Sequence, residues 1–117
     1  MAKVCLVVQT GPYTFENIDT ARGLARAALA GGHRVSLFLY VDGVVNANRR
    51  IDPPGERNIP QELRELAEAG VEIATCGACA KFRGIGKDMH VEGINMGSLV
   101  DMAEMLADAD VVVNLGF

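Results

Sequence analysis

The sequence predicts an α/β protein, a three-layer α/β/α sandwich around a parallel sheet. Two observations predict it. Short, nearly continuous apolar runs alternate with stretches of helical periodicity along the chain. Alternation of strand and helix implies parallel strands, and strands covered on both faces read as unbroken apolar runs.

The first run is KVCLVV, Lys3 to Val8. Ile18, Ala21, Leu24, Ala25, Ala28 and Leu29 follow at the spacing of a helix's buried stripe. Gly31-Gly32 supplies the stop. The second strand is RVSLFLY, Arg34 to Tyr40. A long connection, Val41 to Pro60, is rich in Asn, Pro, Gly and charge, which speaks against core structure; a connection of this length is usually functional or mobile. Ile59, Leu63, Leu66 and Ala67 form the next helical stripe, with Pro60 suited to its first turn and Gly70 to its end. VEIAT, Val71 to Thr75, is the third strand. A short further strand fits around Ile94 to Met96. Ser98 followed by Asp101 has the spacing of a capping box, with Asp in the usual Glu or Gln position. Leu99, Met102, Ala103 and Leu106 supply that helix's stripe, and DVVVNLGF, Asp110 to Phe117, closes the chain as a strand.

Composition narrows the function. A chain of 117 residues fits one domain, 1–117. Half of it is hydrophobic, so a core can be packed. The mean hydropathy of +0.18 is high for so short a chain and points to apolar surface buried between subunits. The net charge of −4 gives no basic footprint for direct nucleic-acid binding. No apolar run approaches the roughly 20 residues of a membrane span, and the first ten residues read as a strand rather than a signal peptide. A cytoplasmic location is expected. Three cysteines without a secretory signal argue for reduced thiols.

Reacting groups in open parallel sheets gather at the carboxyl ends of the strands. Three segments should meet there: QTGPYTFEN after the first strand, VDGVVNAN after the second and CGACAKFRG after the third. The last contains Cys76 and Cys79 in a C-x-x-C spacing. Cys76 falls at a strand-to-helix junction, where backbone amides favour a thiolate. Lys81, Arg83 and Lys87 follow, with no acidic residue between Ile73 and Lys87. These are suitable surroundings for a nucleophilic or sulfur-carrying thiol. Other readings stand beside it. Both cysteines could simply pack as small apolar residues. A zinc site needs two more ligands, and Cys5, His33 and His90 do not offer them in sequence, so no metal is expected. Thioredoxin-type exchange expects the motif near an N-terminal βαβ unit. GIGKDM, Gly84 to Met89, lacks the third glycine of a dinucleotide fingerprint. Cys5 reads as core, Ser98 as a cap, His33 and His90 as turn or surface residues, and Glu16 and Asp42 as solvated loop or cap residues.

Three segments resemble the DsrE/TusD-like sulfur-relay family, closest to its TusD branch. They are VVQTGPYTFENIDTARGLARAALAGGH, SLFLYVDGVVNAN and CGACAKFRGI, and the ending ADADVVVNLGF also fits. The resemblance spans essentially the whole chain and implies a parallel five-stranded sheet within the α/β/α sandwich. It implies that Cys76 carries transferred sulfur as a persulfide, in a relay serving tRNA thiolation or sulfur oxidation. Cys79 stands where the TusD branch usually has Ala, which leaves an assisting role open. Lys81 or Arg83 would stabilise the Cys76 anion. Tyr13, Asn46 and Asn48 are candidate pocket residues. The implied partners are sulfur-donor and sulfur-acceptor carrier proteins, with assembly as a homotrimer or hexamer or as a heterohexamer with related subunits. No cofactor is expected. The alternative is a non-catalytic oligomeric module that binds a small ligand, with structural cysteines.

Overall fold

The computed structural model describes residues 1–117. Five strands and four α-helices alternate: β1 (Lys3–Val8), α1 (Asn17–Ala30), β2 (Arg34–Leu39), α2 (Ile59–Glu68), β3 (Glu72–Cys76), α3 (Gly77–Phe82), β4 (Ile94–Gly97), α4 (Leu99–Asp108) and β5 (Val111–Leu115). The sheet order is β4-β3-β2-β1-β5. Every pair is parallel, with Leu6 opposite Leu37 and Val113, and Cys76 opposite Gly97. The α/β/α sandwich and its five-stranded parallel sheet are as the sequence and the resemblance predict.

Alternation along the central strands divides the core in two. Leu6, Val8, Leu37 and Leu39 face Ile18, Ala21 and Ala25 of α1 and Leu63 and Leu66 of α2. Cys5, Val7, Phe38, Ala74 and Cys76 face Ala80 of α3 and Met105 of α4. The first cluster has 16 buried residues and the second 9, so α3 and α4 form the thinner cover. That thinner layer is the one over the cysteines.

Helix starts follow local chemistry. Asn58 caps α2 by accepting from the Gln61 N–H at 3.2 Å, with Pro60 in the first turn. At α4, Ser98 Oγ accepts from the Val100 N–H at 3.2 Å while Asp101 Oδ2 accepts from the Ser98 N–H at 2.7 Å. This is the expected capping box.

The 41–60 connection departs from expectation. Val41–Ala47 forms a 3₁₀ turn, and its Gly43, Val44, Asn46 and Ala47 are buried. The apolar members are core residues, because Val44 joins the Cys76 cluster and Ala47 the opposite one. Gly43 permits this close seating: a Cβ there would overlap the Val8 carbonyl oxygen. Only the following stretch is polar and largely exposed.

Much apolar surface remains uncovered. Val111 and Val112 on the edge strand β5 are 48% and 47% exposed. Leu99, Val100, Phe82 and Phe117 are exposed as well. No helix is long and apolar enough to cross a membrane.

Candidate active site at the carboxyl end of the sheet

Cys76 is the last residue of β3 and the N-cap of α3. Its extended backbone lets Sγ turn back over the first helical turn, where it accepts from the Cys79 N–H at 3.5 Å. An N-cap acceptor satisfies a backbone donor that the helix leaves free. The junction is tight, because a Cβ on Gly77 would come within 2.7 Å of the Gly97 carbonyl oxygen. The start of α3 is thus pressed on the end of β4. Cys76 is only 2% exposed. Cys79, one turn on, is half-buried.

Cys79 borders both Cys76 and the 3₁₀ turn. Burial pushes its thiol above the ordinary range, and hydrogen bonding to the Cys76 side chain adds to this. A hydrogen bond with the Val41 backbone and the Arg83 charge pull the other way. Val41 sits at a φ of 54°, a left-handed conformation that is costly for a β-branched residue. The strained residue therefore lies at the wall of the site.

Arg83 is the C-cap of α3, followed by Gly84 with a φ of 70°. A left-handed glycine after the cap is a common helix stop. Arg83 Nη1 donates to the Cys79 carbonyl at 3.0 Å, and its Nε donates to Asp42 Oδ1 at 2.7 Å. Its charge is thus largely committed to Asp42, a loop carboxylate that is half exposed, as expected, but also paired. Only the fold brings position 42 to position 83.

The remaining candidates lie around these groups. Lys81 is exposed, beside Ala78 and Phe82 at an open surface depression. Asn46 is fully buried, and its Nδ2 donates to the Thr10 and Gly43 carbonyls at 3.0 and 2.9 Å. It ties the 3₁₀ turn to the loop after β1. Its Oδ1 has no partner. Asn48 Oδ1 accepts from the Arg50 N–H, and its backbone bridges to His90. Tyr13 donates through its hydroxyl to the Arg57 carbonyl at 3.0 Å and accepts from the Ile59 N–H at 3.3 Å. These contacts make Tyr13 an anchor between the loop after β1 and the start of α2. The structure thus brings together Cys76, Cys79 and Arg83, while Asn46, Asn48 and Tyr13 brace the adjoining loops.

His90 ends a short turn, in keeping with the turn reading, but it does not lie at the surface. It is buried, with Nδ1 2.9 Å from the Gly86 carbonyl and Nε2 2.8 Å from Thr75 Oγ1. A carbonyl only accepts, so Nδ1 donates to Gly86, while Nε2 and the Thr75 hydroxyl share the second hydrogen bond. This pair pins the segment after α3 to the residue preceding Cys76. Cys5 is fully buried in β1, as expected, and burial raises its thiol. No three His, Cys, Asp or Glu side chains converge as metal ligands.

The chain belongs to the DsrE/DsrF-like family, whose model matches residues 2–115. It is 40% identical to the sulfurtransferase TusD of Serratia proteamaculans over 89 residues, covering 73% of this chain and 68% of that one. It is 40% identical to the putative sulfurtransferase DsrE of Allochromatium vinosum over 86 residues, covering 71% of this chain and 66% of that one. The protein YchN of Escherichia coli is 31% identical over 115 residues, 97% of this chain and 98% of that one. The YchN crystal structure superposes over 100% of both chains with a TM-score of 0.87.

Proposed function

We propose that the protein is a sulfur carrier or sulfurtransferase subunit that accepts persulfide sulfur at Cys76 and passes it on. The observation that carries this reading is the placement of Cys76. It is a strand-end thiol at the carboxyl edge of a parallel sheet, with its Sγ on the N–H of a helical first turn. The names of the TusD and DsrE relatives support the same chemistry.

The transfer is balanced without a redox partner. The Cys76 thiolate attacks the outer sulfur of a donor persulfide, and the donor thiolate leaves with the electron pair of the broken S–S bond. An acceptor thiolate then takes that outer sulfur and releases Cys76. The rate of each step depends on thiolate fraction, nucleophilicity and access. The first-turn N–H of Cys79 lies on the sulfur where the anion forms, and Arg83 holds the Cys79 carbonyl from the other end of the short helix. The donor and acceptor are carrier proteins of the cytoplasm, and the uncovered apolar surface supports work in an oligomer, a homotrimer or hexamer or a heterohexamer with related subunits. Delivery to tRNA thiolation and delivery from sulfur oxidation both fit this chemistry.

One observation favours a second reading. Cys76 is 2% exposed, so access requires the cover around it to open. A ligand-binding module with packed cysteines would need no such opening. Mass spectrometry after incubation with a persulfide donor separates the two. A gain of one sulfur atom that requires Cys76 supports the carrier, and no adduct on the reduced native protein overturns it.

A further inference from the structure

We propose that Cys76 and Cys79 form a dithiol–disulfide couple that discharges sulfur held on Cys76 as free hydrosulfide. The inference rests on the carrier reading above and adds an activity to it.

The geometry is that of adjacent thiols on one helical turn. Cys76 at the N-cap and Cys79 three residues later lie on the same face of the first turn. Residues so spaced fall within the Cα separation that a disulfide spans. The Cys76 sulfur already rests on the Cys79 N–H at 3.5 Å, which holds it over the turn that carries the second thiol. Cys5, the third thiol, is fully buried within β1 and paired in register with Ser36 and Val112. Cys79 is thus the thiol placed to react with a Cys76 persulfide from within the chain.

The step balances. The Cys79 thiolate attacks Cys76 Sγ, and the bond between that Sγ and the carried sulfur breaks. Hydrosulfide leaves with the electron pair, and the Cys76–Cys79 bond forms. The carried sulfur is reduced to sulfide and the two cysteines are oxidised to the disulfide. A small-molecule or protein dithiol then restores the pair. Exposure sets the order of that second reaction. Cys79 is half-buried whereas Cys76 is enclosed, so the external thiolate attacks Cys79 Sγ. The Cys76 thiolate leaves onto the first-turn N–H that already holds its sulfur.

This arrangement makes the chain a carrier with a built-in release. Sulfur passes to an acceptor protein when one is docked and leaves as sulfide when none is. The opposed exposures give the two cysteines different tasks: Cys76 holds the cargo, and Cys79 ends its residence and meets the reductant.

The test follows one sulfur atom. Native protein and Cys79→Ala, both reduced and freed of reductant, are incubated with an inorganic polysulfide donor. After desalting, intact mass, sulfide release and peptide maps are recorded over time. The expected result is sulfide release from the native protein in step with a linked peptide joining Cys76 to Cys79. Cys79→Ala holds the added sulfur several-fold longer and releases no matching sulfide. If both proteins carry the sulfur for equal times and no linked peptide forms, the couple is overturned and the carrier reading stands. If neither protein gains sulfur on Cys76, the carrier reading falls and the discharge activity falls with it.

Discussion

Arg83 and Asp42 form an ion pair across the mouth of the site, with Arg83 Nε and Nη2 both 2.7 Å from Asp42 Oδ1. The pair joins the C-cap of α3 to the 3₁₀ turn after β2, and Arg83 also holds the Cys79 carbonyl. It therefore fastens together the two segments that flank the thiols. The side chains are 27% and 49% exposed, so solvent screens much of the attraction. A double-mutant cycle of Arg83→Ala and Asp42→Ala should give a coupling of roughly 0.5–1 kcal/mol in urea unfolding at low salt. The coupling should shrink in high salt. A vanishing coupling at low salt would show that the pair does not fasten the turn.

The clasp can act only because the turn is seated deeply, and Gly43 makes that seating possible. A methyl group at position 43 would overlap the Val8 carbonyl, which belongs to a rigid central strand. Backbone on both sides leaves nothing soft to yield. Gly43→Ala should destabilise the fold by roughly 1–3 kcal/mol, the usual cost of overpacking. Chemical denaturation checks it, and an unchanged midpoint with an unchanged slope would mean that the turn does not approach β1 so closely.

The sheet and helices were legible because each run is locally consistent. KVCLVV, the α1 stripe, the Ile59–Ala67 stripe with Pro60 in its first turn and the Ser98–Asp101 box each specify their element without help from distant residues. The strand-end position of Cys76 followed from that order. What was not legible depends on contacts between distant positions. Asp42 looks like any loop carboxylate until β2 and β3 are placed side by side, 41 residues from its partner Arg83. His90 looks like a turn residue until Thr75 comes within 2.8 Å. Val41 offers no sign of a left-handed backbone, since β-branched residues normally avoid it. The Val44 and Ala47 burial was hidden by the polar residues around them.

Thiol ionisation should couple to stability at alkaline pH. Burial, followed by hydrogen bonding to Cys76, raises the Cys79 thiol above its ordinary value. The folded state therefore retains a proton that the unfolded state releases first. The resulting stabilisation is complete below the ordinary thiol pKa and is lost as pH rises through the raised one. Urea midpoints followed from neutral pH upward should fall more steeply for the native protein than for Cys79→Ala. Parallel curves would show that the thiol titrates alike in both states.

Self-association should cover the apolar surface that one chain leaves open. Val111 and Val112 lie on an edge strand, which also presents unpaired backbone groups, and Leu99 and Val100 are exposed on the preceding helix. Light scattering at micromolar concentration should give a multiple of the 12.5 kDa chain mass, a trimer or hexamer. A monomer alone would leave assembly to a different subunit and overturn the homo-oligomer.

Replacing Cys76 separates its observed place as a helix cap from its proposed role as sulfur carrier. As N-cap its sulfur accepts from the Cys79 N–H, and serine is among the strongest N-cap residues. Cys76→Ser should therefore fold with a thermal midpoint near that of the native protein. Cys76→Ala loses the acceptor and should cost about 1 kcal/mol. Neither variant has a thiolate at this position, so neither should gain sulfur from a persulfide donor. The serine variant is the decisive one, because a folded, capped helix without loading isolates the thiol's chemistry from its structural part. Loading of Cys76→Ser at the native rate would place the carried sulfur on another residue.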